Sequence, residues 1–136
     1  MAGAVVDASL AGAWLLPDEH SKEADALLKR ITSGEVELVV PDLWIYEMTN
    51  LLIMAERRNR IGSDQIEEGL DLISSIPRTM HHHRSHLAWK RITRFASRFS
   101  LSAYDAAYLE LSDRLQCPLH SSDEFLRSAA GRLGLD

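Results

Sequence analysis

The chain has 136 residues, of which 46% are hydrophobic and 26% charged, which predicts one globular domain spanning residues 1–136. Its formal net charge of −5 excludes a protein that holds a polyanion by bulk positive charge. The only cysteine is Cys117, so an internal disulfide framework is excluded as well.

The sequence contains no membrane or export signal. No apolar run approaches the ~18 residues that a membrane-spanning helix needs. The N-terminus lacks the basic flank of a signal peptide. We therefore expect a cytoplasmic protein with no membrane partner.

The first half of the chain predicts two short strands separated by helices. The apolar run at residues 4–6 predicts a buried strand that ends at Asp7, and residues 8–16 predict a helix stopped by Pro17. An amphipathic helix, a second strand and a long helix follow over residues 21–32, 37–40 and 41–58.

The second half repeats this alternation. Asp64 and Glu67 have the spacing of a capping pair for a helix that ends at Ser75. A short strand, two helices, a strand and a closing helix follow over residues 77–83, 85–99, 102–115, 118–120 and 123–133. Short apolar strands between helices predict an α/β fold: a three-layer α/β/α sandwich with a short, mostly parallel sheet.

Four carboxylates occupy unusual positions. Asp7 follows the first strand at once, and Asp123 lies three residues after the fourth, where sites form in parallel sheets. Glu47 and Asp105 lie on helices among largely apolar neighbours one turn away. Each acid also has an ordinary structural explanation. Asp123 could be a helix N-cap, Asp7 a turn residue, Glu47 an acid paired with an arginine, and Asp105 an acid favoured by the helix dipole.

Convergence of these acids would decide the chemistry. Two carboxylates ~4 Å apart repel by roughly 4 kcal/mol at an effective dielectric of 20. Such a cluster must hold protons with raised pKa values or bind a divalent cation. Oxygen ligands favour Mg²⁺ or Mn²⁺ over zinc, which fits hydrolysis of a phosphodiester by metal-activated water.

The same residues resemble those of the PIN-domain ribonucleases, specifically the VapC-type toxins of bacterial toxin–antitoxin pairs. The resemblance covers nearly the whole chain and rests on four motifs in order. They are Val5-Val6-Asp7-Ala8-Ser9, Pro41-Asp42-Leu43-Trp44 with Glu47 and Asn50-Leu51-Leu52, Leu101-Ser102-Ala103-Tyr104-Asp105-Ala106-Ala107-Tyr108-Leu109, and Ser121-Ser122-Asp123 with Leu126 and Ala129-Ala130.

The resemblance implies a PIN-like fold and a set of site residues. The catalytic and metal-binding acids around one or two Mg²⁺ or Mn²⁺ ions would be Asp7, Glu47, Asp105 and Asp123. Ser9 would orient Asp7 or a metal-bound water, and Ser121 stands where the fourth motif usually has threonine. Asn50 would support the ligands or pack between helices. Tyr104 and Tyr108 are interpreted as packing that holds Asp105 in place.

The resemblance also implies partners. The substrate would be RNA, cut to leave a 5′-phosphate and a 3′-hydroxyl. The protein would form a homodimer, and the C-terminal segment of a cognate antitoxin would cover the acidic groove, with an arginine entering the site.

Two sets of residues outside the motifs, one of arginines and one of histidines, each have a structural and a functional interpretation. Arg91, Arg94 and Arg98 form either a solvated helix face or a contact surface for RNA or an acidic partner. The histidines predict a solvated strand edge or loop rather than a metal site, because they lack further ligands at metal spacing. They are His81, His82, His83 and His86.

Other functions fit the sequence less well. A receiver domain needs a lysine near its final strand, and Lys22, Lys29 and Lys90 are the only lysines. An aspartate-nucleophile phosphatase needs a second acid two residues after Asp7, where Ser9 stands. An RNA-processing nuclease of the PIN fold without an antitoxin, and a catalytically idle binding module, remain alternatives.

Overall fold

A computed structural model describes residues 2–136. Within them, four parallel strands form one sheet in the order β3-β2-β1-β4. The strands are β1 (Ala2–Val6), β2 (Val36–Pro41), β3 (Thr79–His81) and β4 (Leu119–His120). The same part of the chain forms the helices α1 (Ala8–Ala11), α2 (Lys22–Thr32), α3 (Leu43–Arg57), α4 (Ser63–Ser75), α5 (His86–Phe99), α6 (Ala103–Leu115) and α7 (Glu124–Arg132).

Strand β1 lies in the middle of the core. Val5 pairs with Val39 on one side and with Leu119 on the other. The consecutive residues Ala4, Val5 and Val6 are all buried, although their side chains point alternately to opposite faces. Helices must therefore cover both faces, and the predicted three-layer α/β/α sandwich is confirmed.

The helix predicted for residues 8–16 is shorter than expected. Helix α1 ends at Ala11, and a tighter 3₁₀ turn follows over Gly12–Trp14. That turn lets the Trp14 indole N–H donate to the backbone oxygen of Ala24 on α2 at 2.8 Å. This hydrogen bond provides the buried indole N–H of Trp14 with an acceptor.

The predicted capping pair of α4 is wrong. The helix begins two positions earlier than Asp64 and Glu67 imply, with Gly62 as its N-cap. The Gln65 side chain accepts a hydrogen bond from the Gly62 backbone N–H at 2.9 Å. Glutamine thus performs the capping function expected of a glutamate.

The two tyrosines of the third motif differ in burial. Tyr108 is fully buried, as a packing residue must be, whereas its predicted role in holding Asp105 stays a prediction. Tyr104 lies in the first turn of α6 and is 66% exposed, so its predicted packing role is wrong. Within residues 2–136, no helix is both long and apolar enough to cross a lipid bilayer.

Candidate active site

Asp7 is buried at the point where β1 ends and α1 begins. Its Oδ1 accepts hydrogen bonds from the Leu10 backbone N–H at 3.2 Å and from the Ser9 hydroxyl at 2.7 Å. Its Oδ2 accepts from the Ser121 hydroxyl at 2.7 Å. Ser121 directly follows β4, so the parallel pairing of β1 with β4 brings these two chain positions together.

The two hydroxyls also reach the last motif. Ser121 Oγ accepts from the Asp123 backbone N–H at 2.9 Å, and Ser9 Oγ accepts from the Ser122 backbone N–H at 2.9 Å. The hydroxyl oxygens lie 3.1 Å apart. Each hydroxyl has one proton, and each oxygen lies 2.7 Å from a carboxylate oxygen of Asp7. We therefore infer that both serine hydroxyls donate their hydrogen bonds to Asp7. The two serine hydroxyls are then in contact with each other but are not hydrogen-bonded.

Asp123 and Asp105 lie in the first turns of two helices. Asp123 is the N-cap of α7, and its Oδ1 accepts from the Leu126 backbone N–H at 2.9 Å. The Asp105 backbone N–H donates to the Ser102 hydroxyl at 3.1 Å, and a hydrogen bond with Ser102 also opposes the rise in the pKa of the Asp105 carboxyl. Asp123 and Asp7 therefore both act as helix N-caps. In Asp123 the cap uses only one of the two carboxylate oxygens.

Glu47 approaches the site from α3. Its half-buried carboxylate accepts a hydrogen bond at Oε1 from the Tyr108 phenol at 2.6 Å. Burial raises the pKa of Tyr108, and the hydrogen bond and charge of Glu47 raise it further, so the phenol keeps its proton and acts as a donor. The sequence indicated packing for Tyr108; its position three residues after Asp105 was the available sign that it shares the face of the acids.

Neighbouring carboxylate charges add to the raised pKa values of Asp7, Glu47 and Asp105. Burial raises the pKa of Asp7, the serine hydrogen bonds oppose this, and the charge of Asp123 adds to it. Burial raises the pKa of Asp105, and the charges of Asp123 and Asp7 add to the effect. Burial also raises the pKa of Glu47, where the Tyr108 bond opposes the charges of Asp105 and Asp7. The four carboxylates therefore share one electrostatic environment.

No basic side chain neutralises this cluster. In the described chain, none of the ion pairs within 4 Å includes any of the four acids. A purely carboxylate donor set without a counter-charge fits a hard divalent cation. Residues 2–136 do not, however, hold three His, Cys, Asp or Glu side chains grouped as a ready set of metal ligands. Ion binding would require the acids to draw together.

The predicted supporting residues have different surroundings. Ser9 and Ser121 both contact Asp7. Asn50 is exposed one turn after Glu47, so it does not pack between helices. Its contribution to the site stays a prediction.

The arginines of α5 are not equivalent. Arg91 donates to Glu110 at 3.2 Å and to Asp113 at 2.8 Å, so its guanidinium is engaged within the fold. Arg94 and Arg98 are exposed. Contact with RNA or a partner stays a prediction for all three, with Arg94 and Arg98 the better placed.

The interpretation of the histidines as a solvated edge is wrong for His83. Its side chain is 11% exposed, and Nε2 lies 2.9 Å from Oε1 of the fully buried Glu110. His82 contacts Asp42 instead. Neither contact was predictable from local sequence patterns, because each partner comes from a distant element.

Comparisons with known proteins agree with this arrangement. The PIN-domain family profile matches residues 4–132. Ribonuclease VapC3 of Pyrobaculum aerophilum is 30% identical over 122 residues, which cover 90% of each chain. The crystal structure of PAE2754 from the same organism superposes with a TM-score of 0.65 at 21% identity, over 99% of this chain and 91% of that one. The chain therefore belongs to the PIN-domain family of nucleases, among its VapC-type members.

Proposed function

We propose that the protein is a divalent-metal-dependent endoribonuclease and the toxin of a toxin–antitoxin pair. The observation that supports this best is that four carboxylates from four elements influence one another electrostatically and have no basic partner within residues 2–136. The relative named as a ribonuclease supports RNA as the substrate class. Its VapC-type name supports the toxin assignment.

The acids would hold one or two Mg²⁺ or Mn²⁺ ions, through Asp7, Glu47, Asp105 and Asp123. Bound there, such an ion supplies an activated water and positive charge for hydrolysis of the phosphodiester. The chain's own residues prepare the site. Ser9 and Ser121 hold the two oxygens of Asp7, and Tyr108 holds Glu47. These bonds orient the ligand side chains, and an ion would draw the carboxylates closer together.

The test is RNA cleavage by the purified protein with Mg²⁺ or Mn²⁺, with EDTA, and with Asp105→Asn. Asp113→Asn is a matched control, because Asp113 lies on the same helix and faces Arg91 instead of the acids. We expect cleavage only with metal, in the wild type and the control variant, and products with 5′-phosphate and 3′-hydroxyl ends. Cleavage that survives EDTA, or that Asp105→Asn retains, would contradict the mechanism.

The partners are proposals of the same kind. A cognate antitoxin would cover the acids, and an arginine from it would supply the missing counter-charge. Co-expression with the product of the adjacent gene should give a stable complex and suppress RNA cleavage. An RNA-processing nuclease without an antitoxin would cleave RNA but form no such complex, and an idle binding module would do neither.

The assembly and location also remain proposals. We expect a homodimer of single-domain chains in the cytoplasm. Light scattering of the purified protein tests the mass, and fractionation of cells tests the location.

A further inference from the structure

A surface cavity of about 650 Å³ opens beside the acidic cluster. Its walls include Tyr46, Glu47, Asn50 and Ile53 of α3 and Tyr104 of α6. Glu47 belongs both to this cavity and to the acids. A ligand in the cavity would therefore be continuous with a group held at the acidic cluster.

Two exposed aromatic rings flank the cavity. Tyr46 is 76% exposed and directly precedes Glu47, while Tyr104 is 66% exposed and directly precedes Asp105. Each tyrosine is thus the neighbour in sequence of a proposed metal-binding residue. Neither tyrosine makes a side-chain hydrogen bond within the part of the chain that the structure describes.

The chemistry of the walls restricts the ligand. None of the lining residues is basic, so the cavity does not match a phosphate or an acidic peptide. Its neutral polar groups are the amide of Asn50 and the hydroxyls of Thr49 and of the two tyrosines. An amide donates and accepts hydrogen bonds in one plane, as the edge of a nucleobase does. Aromatic faces with a neutral polar edge suit a flat, uncharged heterocycle.

We propose that this cavity binds an unpaired nucleobase of the RNA beside the scissile phosphodiester. Tyr46 and Tyr104 stack on the base, and Asn50 contacts its edge. The proposal rests on the ribonuclease function proposed above and adds the residues that recognise a base next to the cleavage site. Stacking on an aromatic side chain changes affinity by about 5- to 150-fold per base.

A second copy of the chain is the competing occupant. A second copy over the cavity would remove water from Glu47 and would have to supply a basic side chain, because Glu47 has no basic partner within residues 2–136. Burying an ionised carboxylate without a counter-charge is unfavourable. A base stacked on the two rings leaves the carboxylate open to solvent or to a cation.

The experiment measures binding of a short single-stranded RNA that spans a mapped cleavage site. All proteins contain Asp105→Asn so that the strand stays intact. One base at a time is removed from the RNA, leaving the backbone. At one position next to the cleavage site we expect an affinity loss of about 10-fold when both Tyr46 and Tyr104 are present. The same base removal should cost little once either tyrosine is replaced by alanine, because the contact is already absent.

Two control variants separate stacking from general surface effects. Tyr104→Phe keeps the ring and should keep the base-dependent affinity. Leu115→Ala removes an apolar side chain that is 38% exposed at the opposite end of α6 from Tyr104, and it should leave RNA affinity unchanged. Removing bases from the RNA tests the contact even if an alanine variant folds poorly.

The outcomes are distinguishable. Base-removal losses that are equal with and without the tyrosines would overturn the inference. So would alanine variants that turn a dimer into a monomer while RNA affinity stays the same, which would assign the cavity to a second copy. If the wild type cleaves RNA and Tyr46→Ala and Tyr104→Ala keep the same kcat/KM, only this inference fails. If the wild type cleaves no RNA, the proposed function fails.

Discussion

The phenol of Tyr108 donates a hydrogen bond to Glu47 Oε1 at 2.6 Å and so joins α6 to α3 inside the acidic cluster. This bond lowers the pKa of Glu47, whereas burial and the charges of Asp105 and Asp7 raise it. A fully buried side chain that makes no contact with solvent thus influences the protonation state of a proposed metal ligand.

Replacing Tyr108 with phenylalanine should therefore raise the pKa of Glu47 further. We expect the acid limb of the pH profile of kcat/KM for RNA cleavage to move to higher pH, because a protonated Glu47 cannot bind metal. The variant should also lose about 1.5–3 kcal/mol of unfolding free energy, the usual range for a hydrogen bond to a charged group. Tyr104→Phe is the matched control, since the Tyr104 hydroxyl has no comparable partner. Acid limbs that coincide in the wild type and Tyr108→Phe would exclude this influence.

Divalent metal should stabilise the fold. At a free ion concentration tenfold above its Kd, Mg²⁺ or Mn²⁺ adds about 1.4 kcal/mol to the unfolding free energy. That corresponds to a rise in melting temperature of roughly 3–6 °C for a domain of this size. The rise should shrink at acidic pH, where Asp7, Glu47 and Asp105 hold protons that compete with the ion.

Sodium chloride at matched ionic strength separates ion binding from general screening. The metal-dependent rise should be reduced when Asp7 and Asp105 are both replaced by asparagine. An equal rise in that double variant, or with sodium chloride alone, would count against the metal site.

Asp105→Asn should separate stability from activity. The pKa of Asp105 is raised, so the folded state favours its neutral form, and the ionised form destabilises the fold. The stability linked to the protonated form is present below the unfolded pKa and is lost as pH rises through the raised pKa. Asparagine is neutral throughout, so the metal-free variant should melt higher than the wild type at pH 7–8 and equally at acidic pH. Its RNA cleavage should fall by at least about 100-fold, because a metal contributes several kcal/mol to such a reaction.

Melting curves without metal at several pH values test the first half of this prediction. A variant that melts lower than the wild type at pH 8 would show that Asp105 makes a stabilising contact instead. Asp113→Asn on the same helix should retain cleavage.

Ser121 links the first and last acids through one hydroxyl. Ser121→Ala removes a donor from the buried Asp7 and an acceptor from the Asp123 N–H. We expect a loss of about 1–3 kcal/mol in unfolding free energy, because a buried carboxylate loses one of its hydrogen bonds. Ser121→Thr keeps the hydroxyl and should retain both stability and RNA cleavage. Urea denaturation of the three proteins decides this, and equal stability of the alanine and threonine variants would contradict it.

The sequence predicted the acids because their positions depend on local rules. Asp7 and Ser121 each follow a strand, and the carboxyl ends of neighbouring parallel strands meet at one edge of the sheet. Glu47 and Asp105 were recognisable because charged side chains among apolar neighbours must face something other than solvent. These rules use only residues within one turn or one strand.

The partners of those residues were not predictable in the same way. Tyr108 meets Glu47 across 61 sequence positions, and His83 meets Glu110 on a different element. Helical periodicity says which face of a helix is covered, but not which side chain of another element lies against it. Tyr104 shows the converse error: its spacing resembles that of a core residue, yet it lies in the first turn of α6 and remains exposed.

Glu110 provides the last prediction. Its fully buried carboxylate lies 2.9 Å from His83 Nε2, 3.2 Å from Arg91 Nε and 3.2 Å from Arg114 Nε. Burial alone would raise the pKa of Glu110, but the hydrogen bond from His83 and the charge of Arg114 hold it below its ordinary value. Glu110 therefore stabilises the fold above its unfolded pKa, and that contribution is lost as pH falls through the lowered folded pKa.

Glu110→Gln should lower the unfolding free energy at neutral pH by about 1–3 kcal/mol, because the partly exposed Arg91 and Arg114 lose their shared counter-charge. Asp113→Asn is the matched control on the same helix. Asp113 is partly exposed and Arg91 keeps its bond to Glu110, so this change should cost about 1 kcal/mol or less. Urea denaturation at neutral and acidic pH measures both variants. The gap between Glu110→Gln and the wild type should narrow at acidic pH, where the wild-type carboxylate begins to take up its proton. A gap that is independent of pH would mean that packing, rather than charge, accounts for the loss.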